Sequence, residues 1–542
     1  MSLRGGGGTV YHPGPFKSFR IRWIATIPVG KEMLMEPEKR HREEWISSEG
    51  TTFPGKTYVE CLLKPLFNDQ RDTLFQAMIQ VHRAHVLMLY DRGILKKSEA
   101  TRILRAVEAV ARTDPKALQY DPRYEDLFFL VEGKIAERIG EELAGNMHIA
   151  RSRNDMGVAM YRIALRERIL TLIDKTLSLR EALLEASGQH LETVMPAYTH
   201  TQPAQPTTLG HYLLAVQDGL FRDTTRLKGA FDQVNRSPLG SAAITTTGFD
   251  ICRDTVKEML GFDDLVENSY DAIAGADYLG ETATAVALLM TNLGRWIQDL
   301  LLFCTREFQA VRVADPYVQI SSIMPQKRNP VSVEHSRSLA SSAAADALAV
   351  LTMIHNTPFG DVVDTEDDLQ PHLYRAIDKG RRVLGLMAAV IRTLEVNREL
   401  LGRRAREGAI TITEWADTMV REKGIPLRTA HRIAARISRS AWRENQELDE
   451  LTPEQVRRKA LEAAGIDLRF TEEELARLSD PFHFIRVRKC RGGPNPDETR
   501  RMLEARRGQL TRDQQWLREV RERLERAQAG MMRRVEELTR TT

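Results

Sequence analysis

The chain has 542 residues, 42% hydrophobic and 28% charged, with 78 Lys and Arg against 75 Asp and Glu for a formal charge of +3. That length exceeds what one core usually serves, so two or three domains are expected, and so even a charge balance gives no reason to invoke nucleic acid or a membrane surface. Cys61, Cys252, Cys304 and Cys490 are scattered without paired spacing, no apolar run reaches ~18 residues, and the start lacks a signal-peptide apolar segment; neither a disulfide framework nor a zinc site is indicated, and a cytoplasmic protein is expected.

Residues 9–55, with Pro13, Pro15, Pro28, Pro37 and Pro54, read as an irregular arm. From Asp69 to about Arg92 the apolar residues Leu74, Met78, Val81 and Leu89 fall at helical spacing and Gly93 supplies a stop. Ser98 then caps a second helix carrying Ile103, Leu104, Val107 and Val110, so residues 1–150 are expected to form an arm and a helical first domain. Between Pro122 and Pro196 there is no proline, and Met156, Met160, Ile163, Leu170, Ile173, Leu177 and Leu184 step by three, four or seven. One helix over Asp155 to His190 fits, spanning roughly 54 Å at 1.5 Å per residue.

The proline-free pattern recurs at about 207–235, 276–311, 331–354 and 372–396, which predicts five long helices bundled as a central domain over 151–401. Stripes this apolar along such long helices commonly bury a second face, so assembly with other subunits is expected. Residues 402–542 form a third, shorter-helix domain with breaks near Gly424-Ile425-Pro426, Gly465 and Gly492-Gly493-Pro494. In its tail Leu503, Leu510, Leu517, Leu524, Met531 and Leu538 recur every seven residues, yet the second apolar position of each heptad is mostly Arg, Gln or Asp. A helix docking one narrow stripe on its own protein fits that pattern better than a coiled coil. The fold class is therefore all-α.

Four polar clusters interrupt these helices near their ends. His148-Ile149-Ala150-Arg151-Ser152-Arg153-Asn154-Asp155 precedes the longest helix, where backbone donors and two arginines favour a carboxylate; the same residues also read as an N-cap, Ser152 or Asp155, with solvated arginines. Tyr198-Thr199-His200-Thr201-Gln202-Pro203-Ala204-Gln205-Pro206 reads as a stiff loop presenting His200, whose imidazole could donate a proton to a leaving amine. Asn268-Ser269-Tyr270-Asp271 reads mostly as capping. Ser321-Ser322-Ile323-Met324-Pro325-Gln326-Lys327-Arg328-Asn329-Pro330 packs two hydroxyls, an ammonium and a carboxamide into ten residues. That set suits elimination from a carboxylate-bearing substrate, with Ser321 lifting a proton from carbon while Lys327 and Asn329 hold the negative charge that builds on the neighbouring carboxylate. With no His-x-x-x-His pair and no phosphate-binding glycine loop, acid-base chemistry without cofactor or metal is the natural reading.

The Ser321 loop, with Glu334 following, resembles the Ser-Ser-x-Met-Pro-x-Lys-x-Asn signature of the fumarase and aspartase superfamily. The four clusters together resemble its argininosuccinate lyase branch, whose first cluster reads His-Thr-Gly-Arg-Ser-Arg-Asn-Asp and whose second reads Tyr-Thr-His-x-Gln-x-Ala-Gln-Pro; Ser237-Pro238-Leu239-Gly240-Ser241 and Arg491-Gly492-Gly493-Pro494 are similar to its segments as well. The resemblance runs from about residue 60 to 500. It implies an all-helical, three-domain subunit in a homotetramer with a twenty-helix core and active sites built from three subunits. It also implies the reaction, in which a base takes the proton beside a carboxylate, an aci-carboxylate forms, and the carbon-nitrogen bond breaks to leave fumarate and an amine. Carried over by position, Ser321 is the base and His200 a candidate acid or orienting partner. Ser152, Arg153, Asn154, Thr199, Lys327 and Asn329 bind the succinyl end, and Gln202 and Gln370 complete the substrate-binding set.

The chain also departs from the pattern. Ile320 stands where Gly usually precedes the two serines, Val331 replaces a usual Asp, and the family's Tyr-Asn-Lys-Asp-Leu-Gln becomes Thr365-Glu366-Asp367-Asp368-Leu369-Gln370. An early Ser-Gly-x-Thr-Asp-Pro stretch is replaced by Ser48-Glu49-Gly50-Thr51-Thr52-Phe53-Pro54. Three readings follow: a lyase for argininosuccinate, a lyase for another N-succinyl amine such as ethylenediamine disuccinate, and a catalytically silent structural homologue.

Overall fold

The computed structural model describes residues 41–540 of the chain. It divides into two units, residues 1–65 and 66–542. In the first, residues 41–49 are helical where an irregular arm is expected, and the Glu49 carboxylate accepts hydrogen bonds from the Thr57 amide and hydroxyl, each at 2.7 Å. The remainder of that expected arm, residues 9–40, lies outside the described residues.

The anticipated helix over 69–92 is two helices, α1 (Lys64–Thr73) and α2 (Phe75–Asp91). They part at Leu74, just after the Thr73 hydroxyl turns back to donate to the Asp69 carbonyl. Such side-chain bonding to the preceding turn competes with helix continuation. Helix α3 (Lys97–Ala111) starts one residue earlier than expected: the Glu99 carboxylate accepts from the Lys96 amide at 2.8 Å, so Ser98 lies inside the helix and is not its cap. Helix α4 (Leu127–Ile139) follows, capped by Asp126 accepting from the Phe129 amide.

The five long helices form where the proline-free stretches place them. Helix α5 (Arg153–Gln189) is capped by Ser152, and a hairpin of β1 (Val194–Thr199) and β2 (Gln202–Thr208) carries the chain into α6 (Leu209–Val234). After these come α7 (Asp277–Cys304), α8 (Val331–Ile354) and α9 (Gln370–Arg392). Each packs on the next and α9 closes back on α5, so the five make a ring around a continuous apolar core. At the turn into α6 a Cβ on Gly210 would meet the Ser187 and His190 carbonyl oxygens at 2.8 and 2.9 Å, and only glycine permits that approach. Helix α7 stops at Cys304 instead of 311, because the Thr305 hydroxyl donates to the Leu302 carbonyl and its backbone is extended. Among the described residues α8 is the one helix long and apolar enough to cross a bilayer; it buries Ala340, Ala343, Ala347 and Val350 and exposes Leu348 and Leu351.

Residues beyond the bundle build a separate small core from Trp415, Met419, Ile433, Ile437, Val456, Phe470 and Leu478. The last helix, α10 (Pro496–Thr539), does not join that core. It lies along α5, α2, α3 and α6 and buries Leu503, Leu510, Leu517, Leu524 and Met531, the single heptad stripe anticipated to dock on its own protein. Within this contact Arg180, fully buried, donates to Asp513 at 2.6 Å, and Lys228 donates to the same carboxylate at 2.5 Å. Leu517→Ala is expected to cost about 2–3 kcal/mol, the lower part of the range for a deleted buried leucine because solvent flanks a one-stripe contact; urea unfolding measures it.

Candidate active site

The start of α5 carries the first cluster. The Ser152 hydroxyl bonds the Asn154 amide and side chain, while the Asp155 carboxylate accepts from the Ser152, Gly240 and Ala242 amides at 3.0, 2.9 and 3.1 Å. Burial pushes the Asp155 carboxyl up to about 6 against the pull of those three N–H groups. Asp155 thus ties the Ser237–Ser241 segment to the helix start. From the far side Arg253 holds the same segment, donating to the Leu239 and Val266 carbonyls at 2.9 and 2.8 Å. Gly240 has φ +86°, and a Cβ there would meet Arg253 Cγ at 2.6 Å, so glycine is required at this crossing. Arg151 is buried beneath, its guanidinium brought down to about 9 chiefly by desolvation.

Arg153 points away from Asp155, to Asp126 at 3.2 Å and Glu125 at 3.5 Å, with its guanidinium over the Phe129 ring at 4.7 Å. The Asn154 side-chain amide donates to Asp361 at 2.7 Å, 207 residues away. The third cluster caps a short helix, Asn268 accepting from the Tyr270 and Asp271 amides, and the Tyr270 ring stacks on Phe359 at 5.7 Å. The capping expected there forms, and it also brings the 359–361 loop toward Asn154.

A cavity of about 290 Å³ follows along the same wall, lined by Tyr161, Glu366, Asp367, Gln370, Tyr374 and neighbouring residues. Asp367 accepts from Gln70 at 3.0 Å and Tyr161 at 3.2 Å. Burial and a hydrogen bond to Asp361 raise the Glu366 carboxyl to about 9. Gln370 bonds the Thr365 carbonyl through its amide nitrogen, whereas its Oε1 is buried without a partner.

The second cluster is a β-hairpin where a stiff loop is expected. Thr199 pairs with Gln202, and His200 and Thr201 form the two-residue turn with φ of 50° and 62°. Two successive left-handed residues match the twist of a two-residue hairpin, and Pro196, Pro203 and Pro206 fit because a two-stranded ribbon consists only of edges. The tip holds Thr199, His200 and Gln202 in solvent.

Ser321 and its neighbours also sit on a hairpin, β3 (Gln319–Ile320) with β4 (Arg328–Asn329), Gln319 opposite Asn329. The Ser321 hydroxyl oxygen accepts from the Ile323 and Met324 amides at 3.4 and 3.1 Å, and the Lys327 amide donates to the Met324 carbonyl at 3.0 Å. Lys327 lines a cavity of about 720 Å³ at the base of this hairpin, together with Arg306, Arg312 and Arg328. Within one chain Ser152, Arg153, Asn154 and Gln370 share one wall. Among the described residues no hydrogen bond joins that wall, the His200 tip and the Ser321 loop.

Asp155, Arg253, Asp361 and Glu366 were not singled out by sequence reasoning as site residues. Glu366 carried a signal, as a departure within an otherwise familiar segment; Asp361, far from Asn154 along the chain, carried none.

Residues 65–344 match the family described as lyase, and residues 409–485 match the argininosuccinate lyase C-terminal family. Argininosuccinate lyase 2 of Agrobacterium fabrum is 40% identical over 464 residues, 85% of this chain and 92% of that protein. Argininosuccinate lyase of Methanocaldococcus jannaschii is 35% identical, covering 81% of this chain and 89% of its own. The crystal structure of EDDS lyase in complex with formate superposes with a TM-score of 0.81 at 32% identity, covering 86% of this chain and 92% of that one. Lyases of this kind act on small carboxylate substrates and are typically oligomeric. The chain belongs to the argininosuccinate lyase family and is a carbon-nitrogen lyase of all-α fold.

Proposed function

We propose that the protein eliminates an amine from an N-substituted aspartate to give fumarate, with argininosuccinate the substrate and arginine the amine. The observation that carries the reading is the Ser321 to Asn329 loop, which keeps the family's hydroxyl, ammonium and carboxamide on one hairpin. In this reading Ser321 removes the proton from the carbon next to the carboxylate. Lys327 and Asn329 stabilise the aci-carboxylate, and Ser152, Arg153, Asn154, Thr199 and Gln202 hold the succinyl carboxylates. His200, on an exposed turn, protonates or orients the departing nitrogen. Following fumarate absorbance with argininosuccinate, ethylenediamine disuccinate and aspartate as substrates tests the reading; no fumarate from any of them, with folding intact, sinks it. Ethylenediamine disuccinate remains a second candidate because of the altered Thr365–Gln370 segment and the likeness to EDDS lyase.

The working unit in this proposal is a cytoplasmic homotetramer whose active sites are shared among subunits. Two features support it: Leu348 and Leu351 leave an apolar face on α8, and Ile320 and Ile323 stand exposed beside the base, 75% and 83% accessible in the single chain. Light scattering should give about four times 61.6 kDa. Mixing Ser321→Ala with His200→Asn subunits should restore part of the activity that each lacks alone. Absence of any recovery after verified subunit exchange would place both residues in one chain's site.

A further inference from the structure

Asn154 and Asp361 satisfy each other, donor to acceptor, at 2.7 Å, and Asp361 is in turn hydrogen-bonded to Glu366. Two carboxyl groups can bond only when one carries a proton, and the nearby cation, Arg153, is already engaged by Asp126 and Glu125. Beyond Glu366 the cavity continues with more acceptors than donors. Asp367 lies beside it, and Gln370, 4% accessible, presents a buried Oε1 with no partner. A buried amide oxygen left unbonded is costly unless a donor arrives. The wall therefore runs from a carboxamide donor to a row of acceptors that lack a cation.

We infer that Asp361, Glu366 and Gln370 form the subsite for the delocalised cation of a guanidinium, which displaces the proton shared by the two carboxyl groups. A ligand with a carboxylate next to a guanidinium would insert between Asn154 and Asp361, the carboxylate taking the Asn154 amide and the guanidinium taking Asp361 and Glu366. Its planar fork of N–H donors suits several acceptors at once, including the open Gln370 oxygen. The inference rests on the lyase reading above and names the residues that select the amine half. It also gives the Glu366 substitution within the Thr365–Gln370 segment a role. Because burial and Asp361 hold the Glu366 proton until about 9, binding must release it, and affinity should rise from pH 7 toward 9. The charged groups bearing on that step are Asp361, Asp367 and Arg153.

The test is calorimetric titration of arginine into the full-length protein in the presence of fumarate, run beside argininosuccinate kinetics. Glu366→Gln should weaken arginine about 10–100-fold, raise KM by a similar factor with kcat within a few-fold, and abolish the proton release seen in buffers of different ionisation enthalpy. Glu366→Asp should recover part of the affinity, and Asp361→Asn provides an independent variant if Glu366→Gln folds poorly. Unchanged arginine affinity in folded Glu366→Gln and Asp361→Asn overturns the inference while leaving fumarate release intact. Arginine binding that depends on Glu366, but without fumarate release, keeps the subsite and overturns the lyase reading; failure of both binding and turnover overturns both.

Discussion

Ser321→Ala is expected to lower fumarate release by about 10²–10⁴-fold, the contribution of a positioned proton-transfer group, while the circular dichroism and thermal midpoint stay near those of the parent. The fold should tolerate the change because the Ser321 hydroxyl accepts only two local amides, Ile323 and Met324, at the tip of a solvent-facing hairpin. Those two bonds matter for chemistry in another way. An oxygen that accepts two N–H groups is stabilised as an anion, so the same turn that shapes the loop lowers the cost of deprotonating a serine. The expected signature is a loss in kcat with little change in KM, since the proton transfer is made only in the transition state. Near-normal kcat would remove Ser321 from the role of base.

Asp155→Ala is expected to destabilise the protein by about 3–5 kcal/mol, because the Ser152, Gly240 and Ala242 amides all lose their acceptor and an unsatisfied donor costs about 1–3 kcal/mol. Activity should fall in the same variant, since Ser152 and Asn154 are held by that capping interaction. Urea unfolding and fumarate assays at a temperature where the variant is folded read the two effects separately. Asp155→Asn tests the charge alone. The folded protein raises this carboxyl from its ordinary value to about 6, so it favours the protonated form: the stability linked to Asp155 is full below about 4 and lost as pH rises through about 6. The difference in Tm between wild type and Asp155→Asn should therefore shift toward wild type as pH falls from 7.5 to 5. A difference independent of pH would mean that the carboxyl does not titrate in this range.

Much of the architecture was legible because long helices write their period over many turns. The stretch without proline that led to α5 left little choice of element, and the single leucine stripe of α10 carried its own docking instruction. Short features were not readable in this way. The hairpin at His200 contains three prolines and a two-residue turn, which together look like an irregular loop until the left-handed pair is seen. Likewise Thr305 ends α7 through a hydroxyl bond that no apolar period reports. For the site, the reacting groups were readable because elimination needs particular residue types close together on the chain. Their supports were not, since Asp155 acts on Gly240 and Asn154 on Asp361 across contacts that only folding creates.

Helix α10 has a further consequence for how the protein is made. Its last turn is fastened to the first domain's α3, where Thr101 bonds the Leu538 carbonyl and Arg105 the Thr539 carbonyl, partners more than 430 residues apart. At about 5–20 residues per second, roughly 20–90 s separate the synthesis of the two ends of that contact. Throughout that interval the apolar strip on α2, α3 and α5 waits uncovered, so a nascent chain cut short before Leu503 presents a long sticky groove to the translation milieu. The closing strap is the last piece to emerge, and dependence on chaperones should be greatest just before it does.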